Sequence, residues 1–132
     1  MPNQHLNPEG VSKPTGYTHV VSGQGRIVYI SGQVAVNPAG EVIGEGDLAA
    51  QANQVFENLK TCLASVGATF ADVTKLTTFV VNYKPEDRAI VAAARAAHLP
   101  AVDPPASTLV GVQALARPEF MIEIEATAVV AP

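Results

Sequence analysis

Apolar residues recur along this chain with two different periods, and those periods divide it into helices and strands. In residues 47–66, Leu48, Ala52, Val55, Phe56, Leu59, Leu63 and Val66 fall at steps of three and four, which places them on one face of a helix. Asn53, Glu57, Lys60 and Thr61 fall toward the polar side. Asp47 is the predicted N-cap and Gly67 the predicted C′ residue. Residues 86–98 are rich in alanine and are expected to form a second helix, stopped by Pro100, Pro104 and Pro105.

Between and around the helices the pattern changes to strand-like runs. Residues 17–21 and 26–31 read as two strands, joined by Gly23-Gln24-Gly25 as the short turn of a hairpin. Residues 74–83 are rich in Thr, Val and aromatics, as strands are. Residues 107–113 and 120–130 form a last pair, separated by a turn near Arg117-Pro118. Residues 1–13 are expected to be an extended N-terminal arm, and residues 1–132 a single domain. The order predicts an α+β fold, a two-layer sandwich with two helices on one face of a mixed β-sheet.

Strand alternation then exposes a mismatch. In residues 120–130, Phe120, Ile122, Ile124, Ala126 and Ala128 point one way, while Met121, Glu123, Glu125, Thr127 and Val129 point the other. In 74–83, Leu76 and Val80 oppose Phe79, Val81 and Tyr83, and in 26–31, Val28 and Ile30 oppose Ile27 and Tyr29. Two helices cover one face only, so the other apolar face is expected to be buried by self-association.

Composition agrees with that expectation. Charged residues are 15% of the chain against about 25% in a typical globular domain. The net charge is −4 and the eight Lys and Arg are scattered singly, which argues against nucleic-acid binding. A single cysteine, Cys62, allows no internal disulfide; on the helix's apolar side it reads as a small buried hydrophobe. No metal site has the required spacing, and no apolar run is long enough for a membrane span. Residues 1–16 are polar and contain prolines, unlike a secretory leader, so a cytoplasmic location is expected.

Five segments carry a resemblance: Ile30-Ser31-Gly32-Gln33, Asn58-Leu59, Asp72-Val73-Thr74-Lys75, Pro105-Ala106-Ser107-Thr108-Leu109-Val110-Gly111-Val112, and Ile122-Glu123-Ile124-Glu125-Ala126. In this order and spacing the chain resembles the Rid (YjgF-type) family of reactive-intermediate deaminases, also called endoribonuclease L-PSP or translation-inhibitor proteins. The resemblance implies a chorismate-mutase-like fold, a homotrimer with small-molecule clefts at subunit interfaces, and hydrolysis of enamines and imines without a cofactor. It also implies site positions. Glu123 would be the catalytic group that positions the attacking water; Tyr17, Ser31, Gly32, Ser107 and Thr108 would bind substrate.

Each position has a plainer alternative. Tyr17 is equally a residue packing at the start of a strand, Ser31 and Gly32 an ordinary strand-ending turn, and Thr108 a β-branched strand residue. Glu123 has the alternative of a solvated strand face or an intersubunit ion pair, and Glu125, about 7 Å further along that face, reads as structural. His19 reads as structural and His98 as a cation at a helix C-terminus. In the deaminating subfamily an arginine stands where this chain has Ser107, and its planar fork grips the substrate carboxylate. A serine cannot supply that charge, and Arg117 lies beyond the following strand. The cleft is therefore expected to lack a guanidinium and to accept an imine, enamine or related metabolite other than the 2-aminoacrylate class. The alternatives are a non-catalytic metabolite-binding protein and, less favoured by charge, a ribonuclease.

Overall fold

The structure, a computed structural model, describes residues 2–132; Met1, the first residue of the expected arm, lies outside them. Eight strands and helices follow one another: β1 (Gln4–Leu6), β2 (Val20–Ser22), β3 (Arg26–Gln33), α1 (Leu48–Ala64), β4 (Val73–Val81), α2 (Asp87–His98), β5 (Ala106–Val112) and β6 (Ile122–Val130). The last four strands form a mixed sheet in the order β3-β6-β4-β5, parallel only between β4 and β5. That parallel pair needs a crossover, and α2 is it. The α+β architecture is as the sequence predicts.

Helix α1 starts and stops where its end residues dictate. The Asp47 side chain accepts a hydrogen bond from the Ala50 N–H at 3.1 Å. At the other end Gly67 adopts φ +73°, its N–H donates to Ala64 O, and the Ala68 N–H donates to Leu63 O. This pair of bonds is the Schellman stop, which favours glycine at C′. The apolar stripe in between, including Val55, Phe56, Leu59 and Leu63, is buried against Leu76, Val80, Ile122 and Ile124 of the sheet. Full burial of such side chains contributes roughly 1.5–3 kcal/mol each.

One polar side chain sits inside this core. Gln51 is 0% exposed. Its Nε2 donates to Gly44 O at 3.2 Å and Glu119 O at 2.9 Å, and its Oε1 accepts from the Met121 N–H at 2.9 Å. The amide thus ties α1 to the loop before it and to the entry of β6.

The N-terminal region differs from the sequence expectation. Residues 17–21 do not form a strand that hairpins onto 26–31. Only Val20–Ser22 is extended, and it pairs antiparallel with Gln4–Leu6 in a separate two-stranded sheet. The supposed arm therefore carries a strand of its own, and Asn3 fastens it by donating to Asp72 O and Val129 O. The Gly23–Gly25 segment steps the chain from one sheet to the other. Gly25 (φ +146°) lies against the Val130 carbonyl, where any side chain would collide.

The helix-free face of the sheet carries Ile27, Tyr29, Phe79, Val110 and Val129. Tyr29 is 79% exposed and Ile27 61%. Replacing Gln51 with leucine keeps the volume but strips three backbone groups of their partner. Each unsatisfied buried group costs about 1–3 kcal/mol, so Gln51→Leu is expected to lower unfolding free energy by about 2–4 kcal/mol in urea titration. A change below about 1 kcal/mol would show that those groups find other partners.

Candidate functional site

The sheet separates the sequence-predicted site residues into two groups, one on each face. Pairing of Leu76 with Ser107 places Ser107 on the helix side, with the core residues of β4. Thr108, one residue on, faces the opposite way, in a row with Thr77 and Glu125. Glu123 lies on that same open face, opposite Phe79.

On the open face, Ser31, Gly32 and Glu123 are brought together by an irregularity in β3. Ile30 pairs with Ala126 and Gln33 with Ile124, so three steps along β3 match two along β6. The extra residue is a β-bulge at Ser31-Gly32, a device that often re-aims side chains beside functional sites. Gly32 packs directly against the Glu123 carboxylate, and a side chain there would overlap it. The glycine is thus required by close approach rather than by its φ. Glu123 is half-buried and has no cation within salt-bridge reach among the described residues. Glu125 is exposed.

On the helix side, Tyr17 and Ser107 line a common cleft of about 690 Å³ between α2, the start of β5 and residues 15–17. Thr18 holds this corner closed. It is buried, its Oγ1 donates to Pro104 O at 2.6 Å, and its N–H donates to Pro105 O at 3.2 Å. Two carbonyls of the proline segment that leads into Ser107 therefore fix the residue after Tyr17. His19 packs edge-on to Tyr17 at 5.2 Å between ring centroids and bonds Ser12 O through Nε2. His98 stacks on Phe56 and bonds Asn53, joining α2 to α1.

The expectation that no guanidinium occupies the cleft is corrected by the same lining. Arg88 and Arg95 of α2 both line it, opposite Ser107. They are seven residues apart, two helical turns, and so share one helix face. Arg95 donates through an Nη to Gly16 O, while its Nε is enclosed without a hydrogen-bond partner. Burial lowers its pKa from the usual arginine value, but the side chain remains charged. Arg117 stays outside, paired with Glu119 and lying over Phe120. Reading Ser107 against the strand position alone missed the helix arginines, although their spacing within residues 86–98 was visible.

The family described as Endoribonuclease L-PSP matches residues 10–130. Among solved structures, YyfB of Yersinia pestis, a protein of the conserved Rid family, superposes with a TM-score of 0.93 at 47% identity, covering 98% of this chain and 100% of that one. RidA of an Antarctic Psychrobacter superposes with a TM-score of 0.71 at 28% identity, covering 96% of this chain and 98% of that one. Among curated relatives, the 3-aminoacrylate deaminase RutC of Acinetobacter baylyi is 34% identical over 74 residues, 56% of this chain and 59% of that protein. The chain spans between about two fifths and under two thirds of the curated relatives it matches. The chain belongs to the Rid (endoribonuclease L-PSP) family, and its fold is the family fold.

The corner between Tyr17 and β5 yields a direct test. Thr18→Val removes the hydroxyl that satisfies Pro104 O. Stability is expected to fall by about 1–2 kcal/mol, with faster amide exchange confined to residues 15–19. Unchanged exchange there would mean that the hydroxyl does not hold the corner.

Proposed function

We propose that this chain assembles as a homotrimer with small-molecule clefts at its subunit interfaces and hydrolyses an imine or enamine other than 2-aminoacrylate. The observation that carries the reading is the Glu123 carboxylate, half-buried against Gly32 within an apolar, uncovered sheet face. A single copy leaves Glu123 on the opposite side of the sheet from Tyr17 and Ser107. A second copy laid on the open face would exclude water around Glu123 and allow one subunit's Glu123 to meet the other's cleft. The exposed Ile27 and Tyr29 supply the apolar area for such contact. The deaminase name of the RutC relative supports the reaction class.

The chemistry asks little beyond positioning. An enamine tautomerises to an imine. Water adds to the imine carbon while Glu123 accepts one of its protons, giving a carbinolamine. The same carboxyl returns that proton to nitrogen, the C–N bond breaks, and the carbonyl product and ammonia leave. Tyr17, Ser31, Gly32, Ser107 and Thr108 are assigned to substrate contact, and no cofactor is invoked. A net charge of −4 favours a small metabolite over RNA as partner, and we place the activity in the cytoplasm. No helix among the described residues is long and apolar enough to cross a membrane.

Ammonia release from imines generated in situ tests the reaction. Glu123→Gln is expected to reduce kcat/KM by about 10²–10⁴-fold, the usual contribution of a positioned acid–base group. Full turnover by that variant would sink the assignment. Ligand-induced thermal stabilisation with no turnover of any imine would favour a binding protein instead. The assembly has its own check: Ile27→Lys with Tyr29→Glu is expected to convert a species of three chain masses to one, measured by light scattering after gel filtration. A wild-type monomer would remove the shared cleft.

A further inference from the structure

A cation inside an apolar cleft is costly unless something neutralises it. Moving an arginine out of water is unfavourable without a paired anion or a full set of acceptors. Arg95 has one acceptor, the Gly16 carbonyl, and an enclosed Nε with none. Neither Arg95 nor Arg88 forms an ion pair among the described residues, and no Asp or Glu lines the cleft. In a chain with net charge −4, two arginines facing one cavity with no carboxylate beside them are a local inversion of charge. Such a cavity concentrates anions.

The rest of the wall defines what the anion must carry. Val91, Leu99, Pro100 and Leu109 are apolar, and Tyr17 and Ser107 bring hydroxyls. A volume of about 690 Å³ lies within the range of about 300–1,000 Å³ that accommodates drug-sized ligands and exceeds what a three-carbon acid fills. An arginine at position 107 would stand on the strand floor; those at 88 and 95 stand on the helix wall. Moving the positive charge from floor to wall leaves the floor free for ligand bulk.

We propose that Arg88 and Arg95 form a carboxylate-recognition element, and that the cleft selects a 2-imino acid with a large apolar side chain over its three-carbon counterpart. Arg88 meets the ligand directly. Arg95 does so while holding Gly16, and with it the Tyr17 corner. This rests on the hydrolase reading for the turnover of the ligand, but its binding is separable from turnover.

Phenylpyruvate, the stable oxo acid with an aromatic side chain, serves as probe beside pyruvate and the uncharged ketone phenylacetone. Calorimetry on the intact protein is expected to rank phenylpyruvate at least tenfold tighter than either. Arg88→Gln is expected to weaken phenylpyruvate about tenfold and to leave phenylacetone unchanged, with Arg88→Lys recovering part of the loss. Circular dichroism confirms that the variants fold, and because Arg88 is exposed and has no intramolecular hydrogen bond, folding is expected to be intact. Equal affinity for phenylpyruvate and phenylacetone, no binding of either acid, or indifference of phenylpyruvate to Arg88→Gln would overturn the proposal. Carboxylate-selective binding without ammonia release from the matching imine would overturn the hydrolase reading alone. Turnover confined to uncharged imines would overturn the arginine assignment alone.

Discussion

The two-residue repeat of the β-strand governs this molecule. In β6 it sends Ile122, Ile124, Ala126 and Ala128 into the helix-covered core and Glu123, Glu125, Thr127 and Val129 to the other side. Because β6 lies in the interior of the sheet, between β3 and β4, its alternation is imposed on both neighbours through their registers. The strand cannot shift by one residue, since that would bury two carboxylates and expose four core side chains. All else follows: a helix layer matched to one face, an apolar face without cover, and chemistry divided between the two.

That division separates positioning from reaction. Tyr17 and Ser107 are joined through the proline carbonyls that precede β5, within one chain and by short hydrogen bonds. Glu123 is presented by a bulge on an edge strand, across the sheet from them. The first group sits on rigid scaffold in an isolated chain, whereas the second gains its surroundings only when another copy covers it. In the proposed assembly each subunit would therefore lend its carboxylate to a cleft that its neighbour has already shaped.

Most of the architecture was legible from the chain because its strongest signals are local. The stripe from Leu48 to Leu63, the Asp47 cap and the Gly67 stop act within a few residues, and alternation identified the two faces of β4 and β6. The pairing of β2 was not legible. A short glycine-containing link between two extended runs looks like a hairpin whatever its partners, and the competing strand, Gln4–Leu6, is three residues long with little apolar pattern. The site was half legible. Family resemblance pointed to Glu123 and Gly32, which do touch, and to Tyr17 and Ser107, which share a cleft. It compared residues position by position, so it registered a missing arginine on β5 but not two arginines on the facing helix. Only the three-dimensional course of α2 sets Arg88 and Arg95 opposite Ser107.

The bulge at Ser31-Gly32 has a second effect, on how this protein behaves when crowded. Strand β3 is an outer strand with two large apolar side chains in the open, the profile of a segment that recruits further strands end over end into fibres. A bulge twists such a margin and breaks the even row of backbone donors and acceptors that a foreign strand would need. Stickiness is thereby directed through the broad side of the sheet, where association closes on itself, and away from the rim, where it would have no natural end.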